Sequence, residues 1–259
     1  MVSRRLQRAV APLVGLLGAL VVWEVAVRTL QVSPLILPAP SRIVEEFPAI
    51  SGNILRNTVV TLTEAVSGLV LGATAALIVA IALSAMPPLR RMTFPLLIAS
   101  QVVPSVVFAP IILVWFGYGI FSKVLIAAII CFFPIVVNTS HGLTAVAPEL
   151  LELAQTVGAR KARVFLRIRL PNAMPYFVTS LKPATTLAMI GAVVGEFIGG
   201  DVGLGSSIIL YIRFLNMPAM FATVVVLIVS GLALFAVVNW IGLASIGWYR
   251  KSLRMETDA

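Results

Sequence analysis

The chain has one cysteine and one histidine in 259 residues, and only ten acidic side chains. Each scarcity closes a class of function. Cys131 has no partner for a disulfide within the chain, and its place inside an apolar run reads as packed or lipid-facing filler. His141, in NTSHGL at the end of another run, reads as an interfacial side chain. It is too isolated for a zinc centre of three or four ligands, or for a histidine-paired nucleophile with an orienting acid. There is no G-x-x-x-x-G-K-[ST] phosphate loop. The Gly-rich GGDVGLGSS at 199–207 lacks the lysine and the preceding strand of such a loop, and reads as a turn. The chain is therefore expected to have no catalytic or metal site, to bind no cofactor, and to hydrolyse no ATP by itself.

Apolar side chains are abundant. They make up 60% of the chain against 11% charged, and the mean hydropathy is +1.06, which places the chain among integral membrane proteins. Roughly 20 apolar residues cross the hydrocarbon core as a helix. About six such stretches are present, near 10–30, 59–85, 94–116, 124–141, 175–198 and 220–246. They are continuous rather than alternating, so helices and not barrel strands are the expected way to satisfy the backbone in lipid. The expected class is an all-α polytopic membrane protein, with 1–259 a single transmembrane domain. The basic N-terminus followed by an apolar run has the outline of a secretory signal. The run continues past Trp23, however, and leads into more membrane rather than a soluble domain.

Orientation follows from the basic residues, which cytoplasmic loops retain. Arg4, Arg5 and Arg8 precede the first span, Arg90 and Arg91 follow the second, six basic residues lie in or beside 145–182, and Arg250, Lys251 and Arg254 follow the last; together these are 14 of the 19. Both termini and the long insert at 145–172 are then cytoplasmic, and 31–58, 117–123 and 199–218 face outward. Topology and anionic lipid account for the net charge of +9 without nucleic acid.

The insert is the most polar part of the interior. Pro148 suits a first helical turn, Glu149 and Glu152 complement a helix N-terminus, and Gly158 suits the left-handed residue that stops a helix. A second short helix is predicted from about Arg160 toward Leu170, with Arg160, Arg163 and Arg167 on one face and Phe165 and Ile168 on another. Pro171 is expected to break it, and Pro175 to start the next span. Two such helices make a compact knob suited to a partner's groove. A pair of surface helices bound to anionic headgroups is the alternative.

The order of residues in the insert carries a resemblance. Glu152, Ala154, Gly158, Ile168, Leu170 and Pro171 stand at the spacing E-x-A-x-x-x-G-x(9)-I-x-L-P, which resembles the coupling loop of permease subunits of binding-protein-dependent ABC importers, with Leu153 in place of the family's middle alanine. LPAPSRIVEEF at 37–47, PPLRRM at 87–92, VVPSVVFAPIILVWFGYG at 102–119, FFPIVVNTSHGL at 132–143 and GEFIGGDVGLGSSI at 195–208 extend it over roughly 30–250, and are similar to the nitrate, sulfonate and taurine branch. The resemblance implies a type I ABC importer permease fold with a cytoplasmic coupling-helix loop. It also implies two permease copies forming the path, ABC ATPase subunits carrying ATP and Mg at the loops, and an extracytoplasmic solute-binding protein, in a bacterial inner membrane. The implied solute is a small organic or inorganic anion, or a heteroaromatic compound resembling a vitamin precursor. Glu152, Ala154, Gly158, Arg160, Arg163, Ile168, Leu170 and Pro171 are the implied coupling residues.

Polar residues within spans invite functional readings. Gln101, Ser105, Thr185, Met189 and Glu196 are candidates to line a path, with interhelical packing as the alternative for each. Lys182 is expected to snorkel, and Glu196 to sit as an exposed carboxylate near the outer end. Gly68 and Gly72, like Gly191 and Gly195, have small-xxx-small spacing for close helix approach. Residues 41–50 read as a helix lying on the membrane surface, with 208–215 similarly apolar around Arg213. Both are candidate receivers for the binding protein. Competing functions are an ion-coupled secondary transporter, against which no midplane acidic pair or repeated half is seen, and an intramembrane enzyme, which lacks a base at depth.

Overall fold

The computed structural model describes the backbone of residues 2–245 and side chains from residue 14 onward. Arg250, Lys251, Arg254 and the last residue of the expected span 220–246 lie outside the described residues, as do the side chains of Arg4, Arg5 and Arg8. All regular structure among the described residues is helical. The elements are α1 (Val2–Thr29), α2 (Pro40–Ala85), α3 (Pro87–Ser100), α4 (Phe108–Phe116), α5 (Ile120–Thr144), α6 (Pro148–Thr156), α7 (Lys161–Val164), α8 (Leu170–Gly199), α9 (Leu204–Arg213) and α10 (Met217–Ser245). The expected spans overlap α1, α2, α3 with α4, α5, α8 and α10, with different bounds. Four described helices are long and apolar enough to cross a membrane, or five with the α3–α4 pair taken as one broken span.

Proline chemistry shapes three of these elements, and in the first and third the structure departs from the expectation. Residues 41–50 form no separate surface helix. They are the first turns of α2, which starts at Pro40 and runs unbroken for 46 residues. At ~1.5 Å per residue such a helix is roughly 69 Å long, more than twice the ~30 Å hydrocarbon core, so its start projects beyond it. Ile43 and Ile50 are buried there against Ala219 and Ala222 of α10. The third expected span is bent by 86° between α3 and α4. Pro104 offers no N–H and biases Val103 away from helix, so the chain turns at 101–104. Pro171, expected to break a helix, does not. The chain stays helical from Lys161 to Gly199 by widening into a π-turn over Phe165–Arg169, with Leu170 N–H donating to the Phe165 carbonyl. A wider turn relieves the clash of a proline ring with the carbonyl four residues earlier. Pro175, expected to start the next span, consequently sits inside α8.

Helix α5 is the centre of the bundle, gripped by α2 on one side and α8 on the other. A Cβ on Gly68 or Gly191 would run into Ala127, and one on Gly72 into Ala128 and Cys131. These glycines therefore set the closeness of the three axes, as their spacing predicts. Small residues continue the seam, with Ala73, Ala76, Cys131, Ala184 and Ala188 in one buried cluster. Cys131 is packed filler, fully buried, and not lipid-facing. By contrast α10 leaves Val229, Leu232 and Trp240 exposed, the pattern of a helix whose outer face meets lipid or another chain.

Candidate functional site

Two polar constellations stand at opposite ends of α5. The first is the knob formed by α6, α7 and the π-turn. Pro148 opens α6 and Glu149 occupies its first turn. The helix stops in a Schellman arrangement: Gly158 N–H donates to Gln155 O at 2.9 Å and Ala159 N–H to Ala154 O at 2.9 Å, with Gly158 at φ +68°. Nothing stands within 4 Å of where a Gly158 Cβ would be, so the backbone turn and not crowding calls for glycine here. Arg160 then stands at the N-cap position of α7, with no side-chain cap.

Two contacts fasten the knob to the bundle. Phe165 packs on the buried cluster of Ala80, Leu143 and Ala173. Asn172 Nδ2 donates to Gly142 O at 2.9 Å and to Ala145 O at 3.3 Å, tying the start of α8 to the end of α5. At the same end of the bundle Arg90 donates to Thr144 Oγ1 at 3.1 Å and lies over the Phe94 ring, tying α3 to the end of α5. Of the coupling residues named from sequence, Ala154 is buried, Ile168, Leu170 and Pro171 are half-buried, and Glu152, Gly158, Arg160 and Arg163 are exposed. Leu150, Leu153 and Val157 of the same short helix are 44%, 60% and 72% exposed. At i, i+3 and i+7 they form one apolar stripe turned away from the bundle.

The second constellation is a buried ionic knot at the other end. Glu64 on α2 and Glu196 on α8 are each at most 1% exposed, and Thr61, one turn before Glu64, reaches the Glu196 carboxylate. Lys123 on α5 pairs with Glu64 Oε1 at 3.1 Å and points toward Val202 O at 3.4 Å. The Lys123 contact to Glu64 is an ion pair without hydrogen-bond alignment, so neither Glu64 oxygen receives a directed donor from the described residues. Glu196 is better provided. Thr61 Oγ1 donates to its Oε1 at 2.6 Å and Gly205 N–H to its Oε2 at 2.5 Å, while Leu204 N–H donates to Thr61 Oγ1 at 2.9 Å. Gly203, at φ +130°, passes so close to this carboxylate that a Cβ would strike it. The glycines of the 199–205 turn thus wrap a carboxylate, and the knot joins α2, α5, α8 and α9.

This corrects one sequence expectation. Glu196 is buried, not an exposed carboxylate, because donors from α2 and α9 replace its water. Glu64 and Glu196 also lie buried at this end of the bundle, a juxtaposition that the sequence reading, concerned with the midplane, did not name. Glu64, Lys123 and Thr61 were missed altogether, and the signal for two of them was present: Glu64 is the only charge in 59–85 and Lys123 the only Lys, Arg, Asp or Glu between 118 and 144. The path candidates are scattered. Gln101 is exposed and Ser105 half-buried at the α3–α4 break. Thr185 is fully buried with its hydroxyl donating to Leu181 O, and Met189 packs beside Ala65 and Ala192. Lys182 is half-buried, in the first half of α8. Among the described residues no group of three His, Cys, Asp or Glu side chains is placed to hold a metal.

Comparison with known proteins agrees with this architecture. The chain is similar to the formylaminopyrimidine transport permease protein ThiX of Halalkalibacterium halodurans, at 33% identity over 96% of this chain and 99% of that one. It is also similar to the taurine transport system permease protein TauC of Escherichia coli, at 29% identity over 91% and 86%. Among solved structures it resembles an inward-facing conformation of the MetNI methionine ABC transporter, with a TM-score of 0.65 and 18% identity over 76% of this chain and 97% of that chain, a likeness that shows the fold. The model of the binding-protein-dependent transport system inner membrane component family matches residues 68–245, more than half of the sequence. With the end of α2 and the whole of α5, α8 and α10 inside that match, the chain belongs to this family of ABC importer permeases, in the branch that includes the sulfonate and taurine systems.

Proposed function

We propose that this chain is the transmembrane permease subunit of an ATP-driven importer, and that the 149–171 knob couples its spans to separate ATPase subunits carrying ATP and Mg. One observation carries the reading: a knob fastened at Phe165 and Asn172 turns the apolar stripe Leu150, Leu153 and Val157 away from its own bundle. An exposed apolar helix face on a rigid mount suits a groove in a partner. The mount suits force transmission, because α7, the π-turn and α8 are one continuous helix from Lys161 to Gly199. A push on the knob is thereby delivered along a span.

The knob, Arg90 and the basic insert share one end of the bundle, which supports the orientation with that end and both termini in the cytoplasm. The ionic knot and the 199–213 segment then face outward, toward a solute-binding protein. Two copies of the chain would enclose the path, with Gln101, Ser105, Thr185, Met189 and Glu196 as candidate lining residues in one or another conformation. The solute is a small organic or inorganic anion, or a heteroaromatic compound like a vitamin precursor. The test uses the permease with its ATPase and binding protein in proteoliposomes. Gly158→Asp and Glu152→Lys are expected to leave the permease in the membrane while lowering solute taken up per ATP hydrolysed. Unchanged coupling in both variants refutes the role of the knob.

A further inference from the structure

At the end of the bundle away from the knob, α2, α9 and the 199–202 turn enclose a cavity of about 630 Å³. Its walls are held in register, since Asn57 Nδ2 on α2 donates to Ser207 Oγ on α9 at 2.7 Å. Glu196 forms part of the floor, yet both its oxygens already accept hydrogen bonds from Thr61 and Gly205. Arg56 from α2 and Arg213 from the last turn of α9 line the same space. Neither forms an ion pair with a described residue, whereas Arg28 and Arg42 are paired with Glu24 and Glu45. Asp201 is the one further charge on the lining and is exposed. Ser206, also on the lining, has an Oγ with no hydrogen-bond partner among the described residues.

Each guanidinium carries five N–H donors in a fixed fork, which matches the paired oxygens of a carboxylate, sulfonate or phosphate. The volume lies within the range of small-molecule sites, roughly 300–1,000 Å³, so an oxyanion group fits with a short organic body attached. We infer that this cavity is an antechamber of the permease itself, in which Arg56 and Arg213 hold the anionic oxygen group of a small solute before it enters the bundle. The inference rests on the outward orientation proposed above, and it deepens that reading by placing part of the selectivity in this chain. An oxyanion can come from a free solute or from a phospholipid headgroup at the membrane surface; the chemistry is shared, and the experiment separates the sources.

The intact importer is placed in nanodiscs of phosphatidylcholine alone, without ATP. Saturation-transfer NMR then compares methanesulfonate with dimethyl sulfone, a neutral molecule of similar shape. Methanesulfonate is expected to give signal and dimethyl sulfone none. Arg56→Gln and Arg213→Gln are each expected to weaken methanesulfonate binding by about 10-fold, the lower end for one charge-assisted hydrogen bond. Both side chains are exposed, so folding is checked by burial of the Cys131 thiol. Equal signals from the two probes, or a double variant that binds methanesulfonate as the parent does, overturns the inference. So does native mass spectrometry showing an anionic phospholipid that departs in the double variant and that methanesulfonate does not displace. No step depends on ATP or on the knob, so loss of the coupling role would leave this result standing.

Discussion

Replacing Lys123 with methionine keeps most of the side-chain volume and removes one positive charge from a place where two carboxyls have no other cation. Lys123 is 5% exposed and pairs with Glu64 at 3.1 Å, and Glu64 receives no directed hydrogen bond from any described residue. Removing one partner of a buried pair leaves the other uncompensated and costs about 3–5 kcal/mol. An exposed pair would be worth ~1 kcal/mol or less. At the roughly 2–4 °C per kcal/mol of a chain of this size, the unfolding midpoint should fall on the order of 10 °C. Cys131 supplies the assay, being the only cysteine in the chain and fully buried between α2, α5 and α8. A thiol-reactive fluorogenic dye therefore reports the opening of that seam on heating. The double variant Lys123→Met with Glu64→Gln removes the pair together, and is expected to recover more than half of the loss, a coupling of about 2 kcal/mol. A Lys123→Met shift below ~1 kcal/mol, or single-variant losses that simply add, would refute the knot as a stabilising unit.

Gly203→Ala places a Cβ into the Glu196 carboxylate at a backbone angle that suits glycine. It should displace the 199–205 turn, and Cys131 dye labelling should start at lower temperature in Gly203→Ala than in Asp201→Ala, an exposed neighbour; equal curves would contradict the close approach. Asn172→Ala removes two hydrogen bonds to the carbonyls that end α5, at about 1 kcal/mol each. Hydrogen exchange of the amides around 142–146 should speed up while those around 126–131 stay protected, and exchange unchanged at both places would show that the knob is not fastened there.

Most of the long apolar helices were legible in the chain because hydropathy is a property of consecutive residues. The stop of α6 was legible for the same reason, since Gly158 governs a turn made only with Ala154, Gln155 and Ala159. The glycine seams at Gly68 and Gly191 could be read as close-approach marks from spacing, although not their common target, Ala127. The fate of Pro171 was not legible. A proline removes one hydrogen bond and collides with one carbonyl, and whether the helix ends there or widens by a residue depends on what holds the flanking turns. Here Phe165 and Asn172 hold them on both sides.

The sequence alone settled that the chain is helical, membrane-embedded and interrupted by one basic knob, because those are sums over neighbouring residues and need no partner. The tertiary structure decided which isolated charges meet. Thr61 and Glu196 are 135 residues apart and Lys123 and Val202 are 79 apart in the chain, and nothing local says that they share a site. Along the chain Glu64, Lys123 and Glu196 are each an isolated charge among apolar neighbours. Their burial is possible only because the three helices that carry them converge at glycines, bringing opposite charges and backbone donors together where water is excluded.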